Sequence, residues 1–512
     1  MSLLVLPSEL LLQVMGLLRE SGHVQSLQFL AHTCKRLRGP AEACLYSVAM
    51  FTTLSSLRLF LNNTRAEPRR NVYLRDLRLL YSTEQYDHDQ PPEPPDLTSF
   101  PSLTTFVSES PECQPWSVRP SHWNVFMDSY IRAFEQGSLL NEPVGLPRPL
   151  SSLKSLTLHW TGIGKRYWTI TAACPIFLLP RLQSLEISCA RIEHIGPIDT
   201  GRFHRQTQLE SLTFTECTVS TEALHAVLSF PAALRDFALC ETFYHPVEPG
   251  DRFAVNDVDA LNRAIAQQSG SLERLQIHFH AQYLRHGGTL PLSLSDFTVL
   301  SHLQIGPFIR VPTNGTHASD YVLKAPAPPR LTSLRLDNYG IVMLREHRVD
   351  EILSGLSIGE LLANSEARGQ SFELSISLER FPPLLRRIRF NSRNTRPVMR
   401  RLVERLASLF QRYQEASIQS RPESTLDGPT PHRASSRLRI LTHKHRKMIP
   451  PFLHNEGPPR FVVRYDSWNP QGFVHDPYPL DIVPLNREIS SDDESMDVAF
   501  SEAGDVESDY LV

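Results

Sequence analysis

Apolar residues recur along this chain in two rhythms, and the change from one to the other divides it. Near the start, Leu10, Val14, Leu17 and Leu18 fall at helical spacing behind Pro7, whose missing N–H costs nothing at the opening of a helix. A second set, Leu27, Leu30, Cys34 and Leu37, repeats that spacing after the turn signal Ser21-Gly22, and a third short helix is predicted from about Pro40 to Ala49. From Leu74 onward the spacing becomes Leu-x-x-Leu-x-Leu, with Ile or Phe at the later positions. Copies begin at Leu74, Leu153, Leu182, Leu209, Leu234, Leu272, Leu300 and Leu331, with weaker ones at Leu103 and Leu385. Most copies stand about 25 to 31 residues apart, so a strand's alternation returns at a nearly fixed period.

That hexad at that period resembles the leucine-rich repeat, and Leu209 to Val219 keeps a fuller form, with Cys217 and Val219 where the motif has Asn or Cys and then an apolar residue. Elsewhere the Asn/Cys place holds Thr161, Ala190, Thr242 or Tyr339, so most turn bonds of that ladder are missing and the repeats are degenerate. The expected fold is α/β: an irregular leucine-rich-repeat solenoid with a parallel sheet on the concave face and helices on the convex face. Proline just ahead of a strand, as in Phe100-Pro101, Leu179-Pro180, Phe230-Pro231 and Pro328-Pro329, stops the preceding helix and favours extended backbone. Trp123, Phe126, Tyr130 and Phe134 form an aromatic helical stripe, read as core; a helix is predicted from about Asn256 to Gln268. Polar loops fall at His245 to Asp251 and at residues 310–330.

Along each repeat strand the leucines point inward, so the residues between them face outward. Those positions run from hydroxyls (Ser155, Thr157, Ser211, Thr213) to a more basic, histidine-bearing patch. Glu186, Asp236, Arg274, Gln276, His278, His302, Arg335 and Asp337 are the candidates for binding a target, led by Arg274 and Arg335, because solenoids bind on their concave surfaces and arginine is frequent among residues that dominate interfaces. An ordinary solvated sheet face has the same pattern.

Three small helices over about 45 residues bury too little to be stable alone, so their leucines call for a partner or for the next domain. Their residues, Leu-Pro-x-Glu-Leu-Leu-Leu from Leu6, Thr-Cys-Lys-Arg-Leu-Arg from Thr33 and Ala-Glu-x-x-Leu-Tyr from Ala41, resemble an F-box of the kind common in fungal proteins. The resemblance implies docking onto the Skp-type linker of a cullin–RING ubiquitin ligase, through Leu6, Pro7, Leu10, Val14, Leu27, Leu30 and Leu37. Two departures stand out. Ser26, which could cap the second helix, replaces the acidic residue the family often has there, and the connection from Arg19 to Gln25 is a few residues longer than usual. An amphipathic hairpin belonging to the main core is the other reading of these helices.

Composition adds limits. The chain has 512 residues, 41% of them hydrophobic, enough for a large core, and its net charge of −3 gives no global reason to expect nucleic acid or an anionic membrane as partner. Seven scattered cysteines suit reduced intracellular thiols; with neither a basic leader nor an apolar run of membrane-spanning length, the expected location is intracellular, cytoplasm or nucleus. Arginines crowd residues 386–412, where Leu402, Leu406, Leu409 and Tyr413 suggest an amphipathic helix closing the last repeat; nucleic-acid or phosphopeptide binding is the alternative. The division follows: an F-box-like region at 1–50, the repeats at 51–413, a linker with a terminal edge pair at 414–468 (Arg437 to Leu441 and Arg460 to Tyr465), and a disordered acidic tail at 469–512. Serines before acidic residues in Ser490 to Ser495 suit an acidophilic kinase.

The sequence holds no phosphate-cradling glycine loop, nucleophile elbow or paired-cysteine zinc motif. His278-x-His280 with His286, and His443-x-His445, lack further ligands. The expectation is therefore a binder without catalytic residues, metal or cofactor: a substrate adaptor holding the linker, and through it cullin, at one end and an unknown target along the sheet. A non-degradative scaffold using the same two modules is the alternative, and an enzyme hidden in the degenerate region has no motif behind it.

Overall fold

The computed structural model describes residues 5–80, 93–111, 123–141, 148–160, 167–171, 174–193, 200–240, 257–278, 292–306, 327–337 and 358–377, and beyond them 408, 411–412, 415, 436–443, 459–466 and 473–475. It opens on three helices, α1 (Ser8–Glu20), α2 (Val24–Thr33) and α3 (Lys35–Tyr46). The Ser21-Gly22 signal ends α1: Gly22 has φ +78°, its N–H donates to Arg19 O at 2.9 Å, and the His23 N–H donates to Leu18 O at 2.8 Å. This two-bond closure needs the left-handed backbone that glycine adopts without strain.

Two expectations about these helices are corrected. Cys34 is extended (φ −160°, ψ 161°), so Leu37 belongs to α3, which starts at Lys35 rather than near Pro40. The three-and-four spacing runs straight across that one-residue break, and periodicity does not register it. Ser26 does not cap α2; it lies inside the helix, and the cap position is His23, without a side-chain bond. Leu11, Met15, Leu27, Leu37 and Ala41 form a small core of their own, separate from the core of the sheet.

After α3 come β1 (Val48–Phe51), α4 (Leu54–Ala66), β2 (Asp76–Leu80), β3 (Thr105–Glu109), α5 (Trp123–Gly137), β4 (Ser155–His159), β5 (Trp168–Ile170), β6 (Ser184–Ser188), β7 (Ala190–Ile192), β8 (Ser211–Thr215) and β9 (Thr218–Val219). Then follow α6 (Thr221–Ser229), β10 (Asp236–Cys240), α7 (Val258–Ala266), β11 (Arg274–His278), β12 (His302–Gly306), β13 (Ser333–Asp337), α8 (Ile358–Ala367), β14 (Phe372–Ser377), β15 (Ser436–His443), β16 (Pro459–Asp466) and β17 (Phe473–His475). The architecture is α/β, built on a 14-stranded sheet in the order β1-β2-β3-β4-β6-β8-β10-β11-β12-β13-β14-β15-β16-β17. Pairing is parallel from β1 through β15 and antiparallel for β16 and β17. A second, three-stranded parallel sheet is β5-β7-β9.

Register explains why the hexads matter. Leu156, Leu185, Leu212, Phe237, Leu275, Leu303 and Leu334 pair strand to strand in one row, all buried, and Leu158, Ile187, Phe214, Leu239, Ile277, Ile305 and Leu336 make the row beside it. Each such side chain contributes on the order of 1.5–3 kcal/mol of burial. The aromatic stripe of α5 packs in the same core, with Trp123 and Phe126 stacked at 4.6 Å and Tyr130 edge-on to Phe106 at 5.1 Å. At the corner between the two sheets the Ala190 N–H donates to Cys217 Sγ at 3.4 Å, while the thiol lies 3.3 Å from Thr215 O and 3.4 Å from Ile187 O. Cys217 thus does the turn bonding that the motif assigns to its place.

The sheet crosses two of the expected limits. β1 straddles the boundary taken at residue 50, β15 and β16 are the terminal pair expected at Arg437 to Leu441 and Arg460 to Tyr465 and join the sheet through β14, and β17 falls within the segment expected to be disordered from 469. β14 carries Phe372, Leu374 and Ile376 inward at a place where no hexad begins. The weak copy at Leu385, the loops at 245–251 and 310–326, and the acidic tail past residue 475 lie outside the described residues, as does nearly all of the arginine-rich run.

Candidate functional site

The first candidate surface is the outside of the three helices. Leu11 and Met15 turn one side of α1 into the small core, which leaves Leu10 and Leu17, seven residues apart and so on one face, 43% and 63% exposed. On α2, Val24 and Phe29 are exposed, Phe29 to 73%. Of the residues expected to meet a linker, Pro7 and Leu10 are exposed, Val14 is half-buried, and Leu6 and Leu30 are half-buried against the small core. Leu27 and Leu37 are 0% and 4% exposed and hold the helices together from inside, so they cannot touch a partner without unfolding the trio. Their apolar character is legible in the sequence; the side each faces is set by how the three helices pack, which spacing alone does not give. Leu17 and Phe29 are not among the expected contacts and are the most open large apolar side chains on these helices.

A polar joint fixes the trio to the sheet. Glu42, 6% exposed on α3, accepts from Arg38 at 3.1 Å and from Arg70 at 3.0 Å, and Arg70 lies over the Tyr46 ring at 5.0 Å. Burial raises the Glu42 carboxyl pKa, but the hydrogen bonds and charges of Arg70 and Arg38 outweigh it and leave it below the usual value. Arg19 donates to Ser47, whose carbonyl in turn accepts from the N–H groups of Arg75 and Asp76, so α1, β1 and the start of β2 meet at one residue.

The second candidate surface is the polar face of the sheet. By register, Glu186, Gln276 and Arg335 stand in one row across the strands, and Asp236, Arg274 and His302 in another. Arg274 is held bidentately by Asp236, its Nε and Nη2 each 2.5 Å from a carboxylate oxygen. The guanidinium expected to lead target binding therefore has this edge of its fork engaged. His302 Nδ1 lies 2.8 Å from Ser301 Oγ, and Asp337 ends β13 opposite Ser377. His278 is only 7% exposed, and its Nε2 lies 3.3 Å from Gln304 Nε2 on the next strand. The same holds for other strand-end positions, His159, Ser188, Thr215 and Cys240, all of them buried.

Around Glu186 the face has a composition found on no other group of the described strands. The flanking positions on β4, β6 and β8 are Ser155, Thr157, Ser184, Ser188, Ser211, Thr213 and Thr215, all hydroxyl residues, together with His159. His159 Nε2 lies 3.3 Å from Glu186 Oε1, and its Nδ1 faces Glu109 Oε2 at 3.6 Å. Glu109 is fully buried at the end of β3, and among the described residues neither of its oxygens accepts a hydrogen bond.

Burial lowers the imidazole pKa, but the attraction of Glu109 and Glu186 outweighs it and raises the value from 6.5 to about 9. The folded chain then holds a proton that the unfolded chain releases, so this cluster's contribution to stability is complete below pH 6.5 and is lost as pH rises through 9. Glu216, at a left-handed corner with φ +50°, acts in the same sense in a lower window: burial raises its carboxyl from 4.5 to about 7 against a small opposing effect of the Cys189 thiol. Denaturant midpoints should therefore fall on the alkaline side, and His159→Gln should flatten the fall between pH 6.5 and 9. A wild-type midpoint that climbs across that window would contradict the assignment.

Among the described residues no group of three or more His, Cys, Asp or Glu is placed to hold a metal ion, and no helix is long and apolar enough to cross a membrane. Compared with protein-family models, curated proteins and solved structures, the chain matches none.

Proposed function

We propose that the chain is the substrate-recognition adaptor of an SCF-type cullin–RING ubiquitin ligase. The three helices act as an F-box that docks on a Skp-type linker, and the sheet belongs to a degenerate leucine-rich-repeat solenoid whose polar face holds a target protein. The observation that carries this reading is the helix trio: a five-residue core of its own, large apolar side chains left open on α1 and α2, and a buried Glu42 joint binding it to the sheet. An exposed apolar surface on so small a unit marks an interaction site. A fixed joint is what an adaptor needs, because its contribution is to hold a target at a set place near another subunit's chemistry.

The test is recovery of the tagged full chain from cells. The reading expects the Skp-type linker and cullin to co-purify with it and a co-purifying target to gain half-life when the chain is deleted. Recovery of linker and cullin with no change in any target's half-life would favour a non-degradative scaffold, and recovery of neither would remove the adaptor reading.

A further inference from the structure

We infer that Arg330 and Arg368 form an anion site that receives an acidic segment of this same chain, residues 492–509. The inference goes beyond the adaptor reading and does not rest on it, since neither the three helices nor the polar sheet face enters into it.

Strand pairing brings the two arginines together. Arg330 stands just ahead of β13, and Arg368 follows α8 just ahead of β14; because Ser333 pairs with Glu373, both enter at the same end of neighbouring strands. Gly369, with φ +65°, turns the chain out of α8, and the N–H groups of Arg368 and Gln370 both donate to Ser365 O, at 3.2 and 3.0 Å. That closure fixes the backbone under Arg368, whose Nε donates to Gln370 Oε1 at 3.1 Å. Its Nη2 is buried and, among the described residues, donates to nothing. Arg330 is exposed. Elsewhere on the sheet arginines are matched, Arg78 by Asp76 and Arg274 by Asp236, whereas no carboxylate among the described residues pairs with Arg330 or Arg368. Glu360 of α8 gives its Oε1 to the Ala327 N–H at 3.1 Å. Burial, and then the charge of Arg330, lower the Arg368 pKa from the usual arginine value, and an anion at this place offsets both effects.

Charge and reach decide the occupant. Between residues 492 and 509 the chain has eight Asp and Glu residues, and neither Lys nor Arg follows Arg487. Acidic runs of this kind often act as interaction segments. β17 ends at His475, which pairs with Val463; Val463 pairs with Ile440, and Ile440 with Ile376. His475 is therefore level with Ile376 three strands away, and four residues of β14 lead back from there to Phe372, a separation of about 20 Å at ordinary strand spacings. Asp492 is 17 positions beyond His475. A chain of that length spans up to about 55 Å, so reach does not limit the contact. A tether this short gives an effective concentration in the mM range, which suffices for a weak site of two arginines that a free acidic peptide fills poorly. A guanidinium takes a carboxylate by two N–H groups of its fork, and Nη2 of Arg368 supplies an unused one.

Phenylglyoxal modification of the full chain, read at each arginine by mass spectrometry, is the test. The triple variant Asp492→Asn, Asp493→Asn, Glu494→Gln alters no described residue. It should raise the reactivity of Arg330 about threefold or more and that of Arg368 in the same direction, while Arg274, held by Asp236, keeps its rate. Salt at about 1 M should do the same to the wild type, because screening then acts within about 3 Å. A second measurement identifies the occupant. In the full chain carrying Arg330→Lys, a carbodiimide should link the new amine to a carboxylate within residues 492–509, and mixing isotopically labelled with unlabelled chains should show the link inside one molecule. The footprint leaves both arginines in place, so it decides even if the lysine variant folds poorly. Reactivity of Arg330 and Arg368 unchanged by the triple variant would overturn the inference. Links formed only between molecules, only to carboxylates outside 492–509, or not at all by a variant that melts like the wild type would overturn it too.

Discussion

Leu17→Asp together with Phe29→Asp is expected to weaken binding of a Skp-type linker by about a hundredfold or more, about 3 kcal/mol, while the thermal midpoint of the chain barely moves. Both side chains are largely in solvent, 63% and 73% exposed, so a carboxylate at either place costs the folded chain little. In the proposed complex the same places would be covered, and each aspartate would have to lose its water without a partner. Leu27→Ala is the instructive contrast. That side chain is 0% exposed inside the small core, so its loss should loosen the trio itself, and weaker linker binding would come with a lower midpoint. Calorimetric affinities beside thermal melts separate the two behaviours. Linker affinity unchanged by the double aspartate variant would mean that this surface is not the docking face.

Gln268→Leu is expected to destabilise the fold by about 4 kcal/mol although it conserves size. Gln268 is 4% exposed just after α7, and its amide is used on both sides. Oε1 accepts from the Leu234 N–H at 3.0 Å and from Ser271 Oγ at 2.9 Å; Nε2 donates to Leu228 O at 2.8 Å and to Pro231 O at 3.1 Å. One side chain therefore closes the end of α6, the turn at Pro231 and the approach to β10. Leucine would leave three buried backbone groups without these partners, each costing on the order of 1–3 kcal/mol. Chemical denaturation of the two proteins measures the difference. A loss below about 1 kcal/mol would mean that water or a local shift takes over those bonds.

The strands were legible wherever a leucine hexad marks them, because a parallel sheet buried on one face repeats the same inward pair at 156/158, 185/187, 212/214 and onward. β1 and β14 were not. Val48-Ala49-Met50-Phe51 follows directly on a helix, and the alternation of Phe372, Leu374 and Ile376 lacks the leading leucine three residues earlier. Of the candidate sites, the apolar trio could be read from spacing, but which of its leucines face inward could not. That depends on how the three helices pack on one another, and for Leu37 also on the break at Cys34, which sets the direction of the side chains after it. On the sheet, alternation assigns Glu186, Arg274 and His278 to one face correctly. It cannot tell that Arg274 is engaged by Asp236, that His278 meets Gln304, or that Glu109 reaches His159 on the next strand, since those pairings join residues 38, 26 and 50 positions apart in sequence. Gln268 carried no signal: a glutamine at a helix end is common, and only the three backbone segments that meet there give it a role.

The central claim is that this chain joins a ligase through its first three helices, and titration of the purified full chain with a purified Skp-type linker in a calorimeter tests it most directly. The account predicts one-to-one binding with a negative heat-capacity change, the mark of apolar surface leaving water, and its loss in the Leu17→Asp, Phe29→Asp variant. No heat of binding at micromolar concentrations, or equal binding by the variant, would contradict it.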